Sequence, residues 1–407
     1  MNLLLYVGTR RLAGLLVELE GPHPRILRVG EIQSPEGFQK GCVSSLDKAL
    51  HSLEELLKSL ELGEEVLEIP TSVVVSGSSL KMTRFSSSVY FTGYPRVVTS
   101  QEVRRVIEQT RSVAPLSLEE WVLQATPESF WVNDLTGIED PIGLEAQRLA
   151  VTLQIFTMNF TLFRNLSRAF ETLELNVEGY FPKTLFLAEG VLNANEREGE
   201  ALVIDFSDEA THLVLTREGK MVQTRTLDLG SRFLTTRVAE TWQLGLRDAE
   251  RLKERFGSLE ENLQFGEELV PLVERNGQAA HPIKRAEFHQ AFARFGEELF
   301  QRIEKEVKDF LAKEKAARPT LVLTGGGVKL EGLLEFLSRR FTFPLRMGTP
   351  RPLEGSSEVL MDPAWAGAVG FVRGLAERRN GKGLLAAKAN PLERVFLHAK
   401  EWIAAYF

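Results

Sequence analysis

One cysteine, Cys42, occurs in 407 residues. That excludes an internal disulfide, leaves no cysteine pair for zinc, and fits a reducing cytoplasm. No run of about 18 apolar residues is present, so no bilayer-spanning helix is expected and any membrane contact should lie at the surface. Residues 1–8 lack a basic leader and their apolar run is too short for a signal peptide. Positive charge is not in excess: the net charge is −7, which argues against a nucleic-acid partner, because phosphate recognition needs a basic face. What is present is ample core material, 43% hydrophobic with 26% charged, on a chain long enough for two or more domains or one large two-lobed body.

Apolar runs at residues 3–7 and 12–19 flank Gly8-Thr9-Arg10-Arg11 and read as two strands joined by a tight turn, with a third strand at 25–33. Leu46, Ala49, Leu50, Leu53, Leu56, Leu57 and Leu60 keep helical spacing. A β run at 73–76 leads into a polar, Ser-rich stretch at 76–88, a helix at 100–112, and strands at 121–126, 130–132 and 149–155. This α+β block reads as an inserted subdomain. A helix at 160–174 and a strand-to-helix transition at 184–192 follow. Strands at 201–205 and 212–216 flank a second turn, and 221–227 continues them. Helical patterns cover 231–261, 288–315, 330–340 and 362–379, and a strand at 321–323 runs into Thr324-Gly325-Gly326-Gly327. The strand–turn–strand opening thus recurs, which reads as an internal duplication of α/β halves; periodicity alone also allows two unrelated α/β domains.

Several segments, in order, resemble the FtsA family of actin-like division proteins. They are Gly37-Phe38-Gln39-Lys40-Gly41-Cys42-Val43, Pro141-Ile142-Gly143-Leu144 with Arg148-Leu149, and Ala249-Glu250-Arg251-Leu252-Lys253 with Phe256-Gly257. Next come Leu323 through Gly327 with Leu330-Glu331-Gly332-Leu333, then residues 344–350 and Ala366-Gly367-Ala368-Val369-Gly370. Each is weak alone; the ordered set with an insertion is specific. The resemblance implies an α/β, actin/Hsp70-like two-lobed duplicated fold with an inserted α+β subdomain and a C-terminal amphipathic helix. On that basis residues 1–81 and 157–195 form lobe 1, 82–156 the insertion, 196–230 and 316–377 the core of lobe 2, and 231–315 its helical accessory part. Residues 378–390 would be a linker and 391–407 a membrane-targeting helix.

The same resemblance implies ATP with Mg²⁺ as cofactor, held through Gly8, Thr9, Asp205, Thr211, Glu250, Lys253, Gly325, Gly326 and Gly327. Glycines serve there because backbone N–H groups must approach phosphate with no Cβ between. The family's first turn, Asp-x-Gly-Thr, has Tyr6 at its aspartate position. Its second, Asp-x-Gly-Gly-Gly-Thr-Thr-Asp, reads Asp205-Phe206-Ser207-Asp208-Glu209-Ala210-Thr211-His212. Ser207, Asp208 and Glu209 therefore make the site degenerate. A carboxylate about 5 Å from a phosphate charge costs roughly 3 kcal/mol at an effective dielectric near 20. Two readings stand: weakened or lost ATP binding, or a tolerated variant in which Arg10 and Arg11 restore the charge balance. A sharper expectation pairs Arg10 or Arg11 with Asp208 or Glu209 where phosphate would sit. Glu250 and Lys253 also fit an ordinary solvated helix face, and Gly325–Gly327 a plain strand-to-helix turn.

Asn390-Pro391 offers a helix start. Leu392, Val395, Phe396, Ala399, Trp402, Ile403, Tyr406 and Phe407 then follow at helical spacing, a membrane face by resemblance and otherwise a helix docked on protein. The expected function is a non-enzymatic division adaptor on the cytoplasmic face of the membrane at the septum. Its expected partners are FtsZ, itself, the inner membrane surface and other division proteins, with no nucleic acid. The alternatives are a PilM-like scaffold of an envelope assembly machine and an intact actin-like ATPase.

Overall fold

A computed structural model describes the chain except residues 20–22, 262, 273–281, 356 and 380–407. Contacts divide it into two units, Met1–Gly190 with Arg351–Leu360 and Gly367–Phe407, and Val191–Pro350 with Met361–Ala366.

In the first unit, β1 (Asn2–Val7) and β2 (Arg11–Glu18) are near-continuous apolar runs, buried on both faces as central strands are. They pair antiparallel, and β3 (Arg25–Gln33) follows β2 in the same way. Helix α1 (Leu46–Ser59) packs Ala49, Leu53 and Leu56 into the core on one face of the sheet. Strand β4 (Thr71–Val75) runs parallel to β1.

The insertion follows as β5 (Lys81–Tyr90), α2 (Ser100–Ser112), β6 (Glu120–Val132), β7 (Leu135–Ile138) and β8 (Arg148–Asn159), in an antiparallel sheet of order β7-β6-β8-β5. A capping box of Thr99 and Glu102 starts α2. Its Val103, Val106 and Ile107 join a core with Leu149, Val151, Leu153 and Ile155. The polar, Ser-rich stretch, given no element from sequence, is mostly strand: Ser86 and Ser88 occupy the face opposite α2, where nothing apolar is required. The two short strands expected at 121–126 and 130–132 are one strand, because Pro127 sits at a register shift and costs no ladder bond.

Helix α3 (Phe160–Thr172), capped by Asn159, leads to β9 (Val177–Pro182), a buried parallel strand on β4 that periodicity missed. The sheet order is β9-β4-β1-β2-β3.

In the second unit, β10 (Glu200–Phe206), β11 (Thr211–Arg217) and β12 (Lys220–Leu227) form an antiparallel meander. The helical stretch expected at 231–261 is two helices, α4 (Arg232–Trp242) and α5 (Leu246–Phe256), separated where Gln243 turns left-handed at φ 53° before Gly245. Helix α6 (Arg285–Lys313) buries Phe288, Phe292, Phe300 and Phe310. Then β13 (Thr320–Thr324) pairs parallel with β10, α7 (Leu333–Ser338) follows, and β14 (Leu345–Met347) pairs parallel with β13. The order β12-β11-β10-β13-β14 repeats that of the first unit, a meander followed by two parallel strands, so the duplication is real. Helix α8 (Ala366–Arg379) belongs from Gly367 onward to the first unit, whereas the sequence reading kept residues through 377 in lobe 2. The reason is packing: a Cβ at Gly370 would lie 2.0 Å from the Phe186 carbonyl oxygen, and Phe371 packs on Phe181 and Phe186.

An ion pair ties the second unit's sheet edge. Arg346 on β14 forks onto Glu196 and also donates to the Val191 carbonyl at 2.9 Å. Burial raises the Glu196 carboxyl, but Arg346 outweighs it and holds the group below its usual 4.5. A depressed carboxyl stabilises fully above that value and loses its contribution as pH falls below it. Glu196→Gln should therefore cost about 1–2 kcal/mol at pH 7 and markedly less near pH 3 in urea titrations. Equal penalties at both pH values would exclude the ion pair as the source.

Candidate nucleotide site

The two hairpin turns occupy equivalent places in the two sheets, β1–β2 in the first unit and β10–β11 in the second. In the first, the Gly8 amide donates to the Arg11 carbonyl at 2.9 Å and closes the turn. Thr9 is a pin: its Oγ1 accepts a hydrogen bond from the Gly41 amide at 3.0 Å. Gly41 holds φ 71°, and a Cβ there would stand 1.5 Å from the Ser76 carbonyl oxygen, so only glycine brings that amide to Thr9. Tyr6 is buried and its ring lies against Gly8, where a Cβ would meet Tyr6 Cε1 at 3.2 Å. The buried ammonium of Lys183 stands 5.8 Å from the Tyr6 ring centroid, a favourable placement of cation on ring. The position that resemblance gives to an aspartate therefore holds an aromatic ring with a cation on it. Lys183 was not foreseen, because Pro182-Lys183-Thr184 carries no motif.

The second turn is self-satisfied. Ser207 N–H donates to the Ala210 carbonyl, Ser231 N–H to that of Ser207 and Arg232 N–H to that of Asp208, at 3.0, 2.9 and 2.7 Å. Thus the first amides of α4, the kind of group that would receive a phosphate, already meet the turn's own carbonyls. Arg232 donates through Nε and Nη2 to Asp208 Oδ2 at 3.0 and 2.8 Å, and its Nε lies 3.3 Å from Glu209 Oε1. Burial works against the Arg232 charge, yet Asp208 and Glu209 override it and hold the guanidinium above its usual value. Arg232 answers these carboxylates from within the second unit, a partner that the sequence reading did not name; in the first unit Arg11 meets Glu31 on β3 at 2.8 Å. Sequence distance concealed the pair, since Arg232 lies beyond β11 and β12.

Asp205 is buried beside Ser207 Oγ, 3.3 Å from each carboxylate oxygen, and His212 Nε2, at 4.0 Å. His212 also meets Thr226 Oγ1 at 3.1 Å, a structural role. Thr211 Oγ1 donates to the Leu229 carbonyl at 2.6 Å. Glu250 and Lys253 are buried rather than solvated. They pair at 2.9 Å, with Thr235 Oγ1 donating to Glu250 and Lys253 Nζ reaching Ser231 Oγ at 3.4 Å. Gly325, at φ 93°, would place a Cβ 2.5 Å from Asp205 Oδ1, and Gly327 one 2.5 Å from the Phe206 ring. Both are demanded by packing on the turn. Gly326 meets nothing nearer than the Ala364 Cβ at 3.7 Å, so it alone of the three leaves room for a ligand's approach.

The second unit therefore gathers Asp205, Asp208, Glu209, Arg232, Glu250, Lys253 and the glycine run around the start of α4. Tyr6 stands where the resemblance gives a carboxylate, and Asp208 and Glu209 stand where it gives glycines whose amides would meet phosphate oxygens. Among the described residues, no group of three or more His, Cys, Asp or Glu is placed to hold a metal. The expected membrane residues Leu392, Val395, Phe396, Ala399, Trp402, Ile403, Tyr406 and Phe407 lie outside the described residues.

Twin sheets of identical strand order, each with its hairpin turn, define an actin-like protein. In keeping with this, the fold is similar to a solved PilM-PilN type IV pilus biogenesis complex, with a TM-score of 0.65 at 19% identity over 91% of this chain and 97% of that one. It is also similar to MreB5 of Spiroplasma citri bound to AMPPNP, with a TM-score of 0.53 at 11% identity over 93% of this chain and 98% of that one. More specifically, residues 202–370 match the model of "Cell division protein FtsA" and residues 77–157 that of "SHS2 domain inserted in FTSA", together more than half of the chain. The cell division protein FtsA of Borreliella burgdorferi is 25% identical over 90% of this chain and 88% of its own length; that of Escherichia coli K12 is 23% identical over 98% and 94%. The chain belongs to the FtsA family, and the insertion is its SHS2 domain.

Proposed function

We infer that the chain is a division adaptor that ties FtsZ filaments to the cytoplasmic membrane at the septum, associates with its own kind, and works without turning over ATP. The observation that carries the nucleotide part is the second turn, whose Asp208 and Glu209 are bound by Arg232 and whose carbonyls take the first amides of α4. A loop already closed on its own anion has little to offer a triphosphate, and like charge repels one. The family supports the adaptor part. No helix among the described residues is long and apolar enough to cross a membrane, which agrees with attachment at the surface. Residues 391–407 supply an apolar face for that attachment.

The test is reconstitution. Purified FtsZ, assembled with GTP and mixed with vesicles of bacterial lipid, should sediment with the vesicles only when the full chain is added, and equally well with or without ATP. FtsZ filaments that stay off the vesicles would refute the adaptor reading, and recruitment only in ATP would refute the nucleotide part.

A further inference from the structure

The SHS2 domain has a sheet with one face under α2; the other face is packed at its Phe156–Met158 end and carries Arg148 and its neighbours at the opposite end. Along the open face run Arg84, Ser86, Ser88 and Tyr90 of β5, and Arg148, Ala150, Thr152 and Gln154 of β8, directly paired across the ladder. Trp131 and Ser129 of β6 stand on the same face, opposite Ala150 and Thr152. Because the middle of this face is built of small residues, it is hollow. A cavity of about 130 Å³ is lined by Ser86, Ser88, Trp131, Arg148, Ala150 and Thr152. Ser86 and Thr152 join hydroxyls across its floor at 2.8 Å.

The two arginines of this face are treated differently. Arg84 is gripped by Glu128, with Nε donating to Oε2 at 2.8 Å, and Gln154 leans on the same carboxylate. Arg148, at the rim of the cavity, pairs with no acid among the described residues. Its guanidinium lies 5.8 Å from the Tyr90 ring centroid, and its Nε is shut off from solvent with no hydrogen-bond partner. A buried donor left unpaired costs about 1–3 kcal/mol, a penalty that a ligand would remove. Beside it Trp131 is 38% and Tyr90 70% exposed, apolar surface flanking an unanswered cation. Strand β5 is also the sheet's edge. Among the described residues it pairs only with β8, which leaves its outer row of N–H and C=O groups without a strand partner.

We propose that this face of the SHS2 domain docks an extended acidic segment of a partner protein. The segment adds along the β5 edge, lays an apolar side chain on Trp131, and delivers a Glu or Asp carboxylate over Ser88 to Arg148. One guanidinium matches one carboxylate, and no second cation lines the cavity to balance a phosphate. Main-chain pairing supplies affinity and the side-chain pocket supplies selectivity, the usual division of labour in strand addition. The surface is distinct from the turns described above and does not depend on whether they hold nucleotide.

The test is a displayed library of random extended nonapeptides panned on the full chain, with the Arg148→Met chain as counter-selection. The expected binders carry an acidic residue next to an aromatic or aliphatic one. Arg148→Met and Trp131→Ala should each weaken them at least about tenfold in fluorescence polarisation, and Gln in place of the peptide's acid should cost as much. In the Arg148→Met chain the Gln peptide should lose nothing further, which a merely structural arginine would not produce. Recovery of no Arg148-dependent acidic binder overturns the proposal. So does displacement of the peptide by millimolar inorganic phosphate, or Arg148-dependent binding of anionic vesicles instead of peptide. Unchanged circular dichroism and melting of both variants guard against a fold defect.

Discussion

Replacing Asp208 and Glu209 together by glycine raises the affinity of the full chain for ATP at least about a hundredfold. Each carboxylate near a triphosphate charge costs roughly 3 kcal/mol at an effective dielectric near 20, and 1.4 kcal/mol is tenfold in affinity. The substitution also releases Arg232, which now spends its guanidinium on these two groups, and leaves it to face the anion. Isothermal titration with ATP and with ADP reads the effect directly. Arg232→Ala alone should act the other way, because it strips the compensation from two acids of which Asp208 is 10% and Glu209 6% exposed. That variant should also be less stable, by the cost of taking an ion-pair partner from buried carboxylates. Micromolar ATP binding by the native chain, unaltered by the double substitution, would show that the carboxylates do not obstruct the site.

Deleting residues 391–407 removes nearly all binding to lipid vesicles while leaving the melting temperature unchanged. Leu392, Val395, Phe396, Trp402, Ile403, Tyr406 and Phe407 would each bury apolar surface at the headgroup boundary, worth about 1.5–3 kcal/mol apiece when fully buried. Against this, Arg394 and Lys400 are offset by Glu393 and Glu401, so anionic lipid adds little. Binding should therefore fall with Trp402→Glu or Phe396→Glu far more than with added salt. Sedimentation with vesicles of graded anionic content separates the two contributions. A truncated chain that still sediments with lipid, or one that melts at a much lower temperature, would place this segment against protein rather than membrane.

The hairpin turns were legible from residues alone. Gly8-Thr9 between two apolar runs, and Asp205 to Thr211 between two more, could only be turns of buried strands, and the repeat of that pattern gave the duplication. Helix α2 was legible in the same way, with its ends at Ser100 and Ser112, because its apolar spacing and capping box are both local. Strand β9 was not: six residues, the last four buried, look like any short apolar stretch until β4 is beside them. Strand β5 was hidden for the opposite reason. Its serines face an open side, so its sequence lacks the alternation that a half-buried strand normally shows.

The candidate site divides along the same line. The loss of the phosphate-loop glycines and of the aspartate at Tyr6 was written in the chain, since each is a change of residue type at a fixed place in a motif. Which cation answers Asp208 and Glu209 was not, because charge carries no address: Arg10, Arg11 and Arg232 are equivalent in a sequence. The tertiary structure brings Arg232 to them by folding β12 back and starting α4 beside the turn. It likewise turned Glu250 and Lys253 from a solvated pair into a buried one, and, among the described residues, gave Arg148 on the SHS2 sheet no acid to match the one Arg84 has. Local spacing fixes elements and turns; the pairing of distant charges is settled only when packing sets which side chains share a low-dielectric neighbourhood.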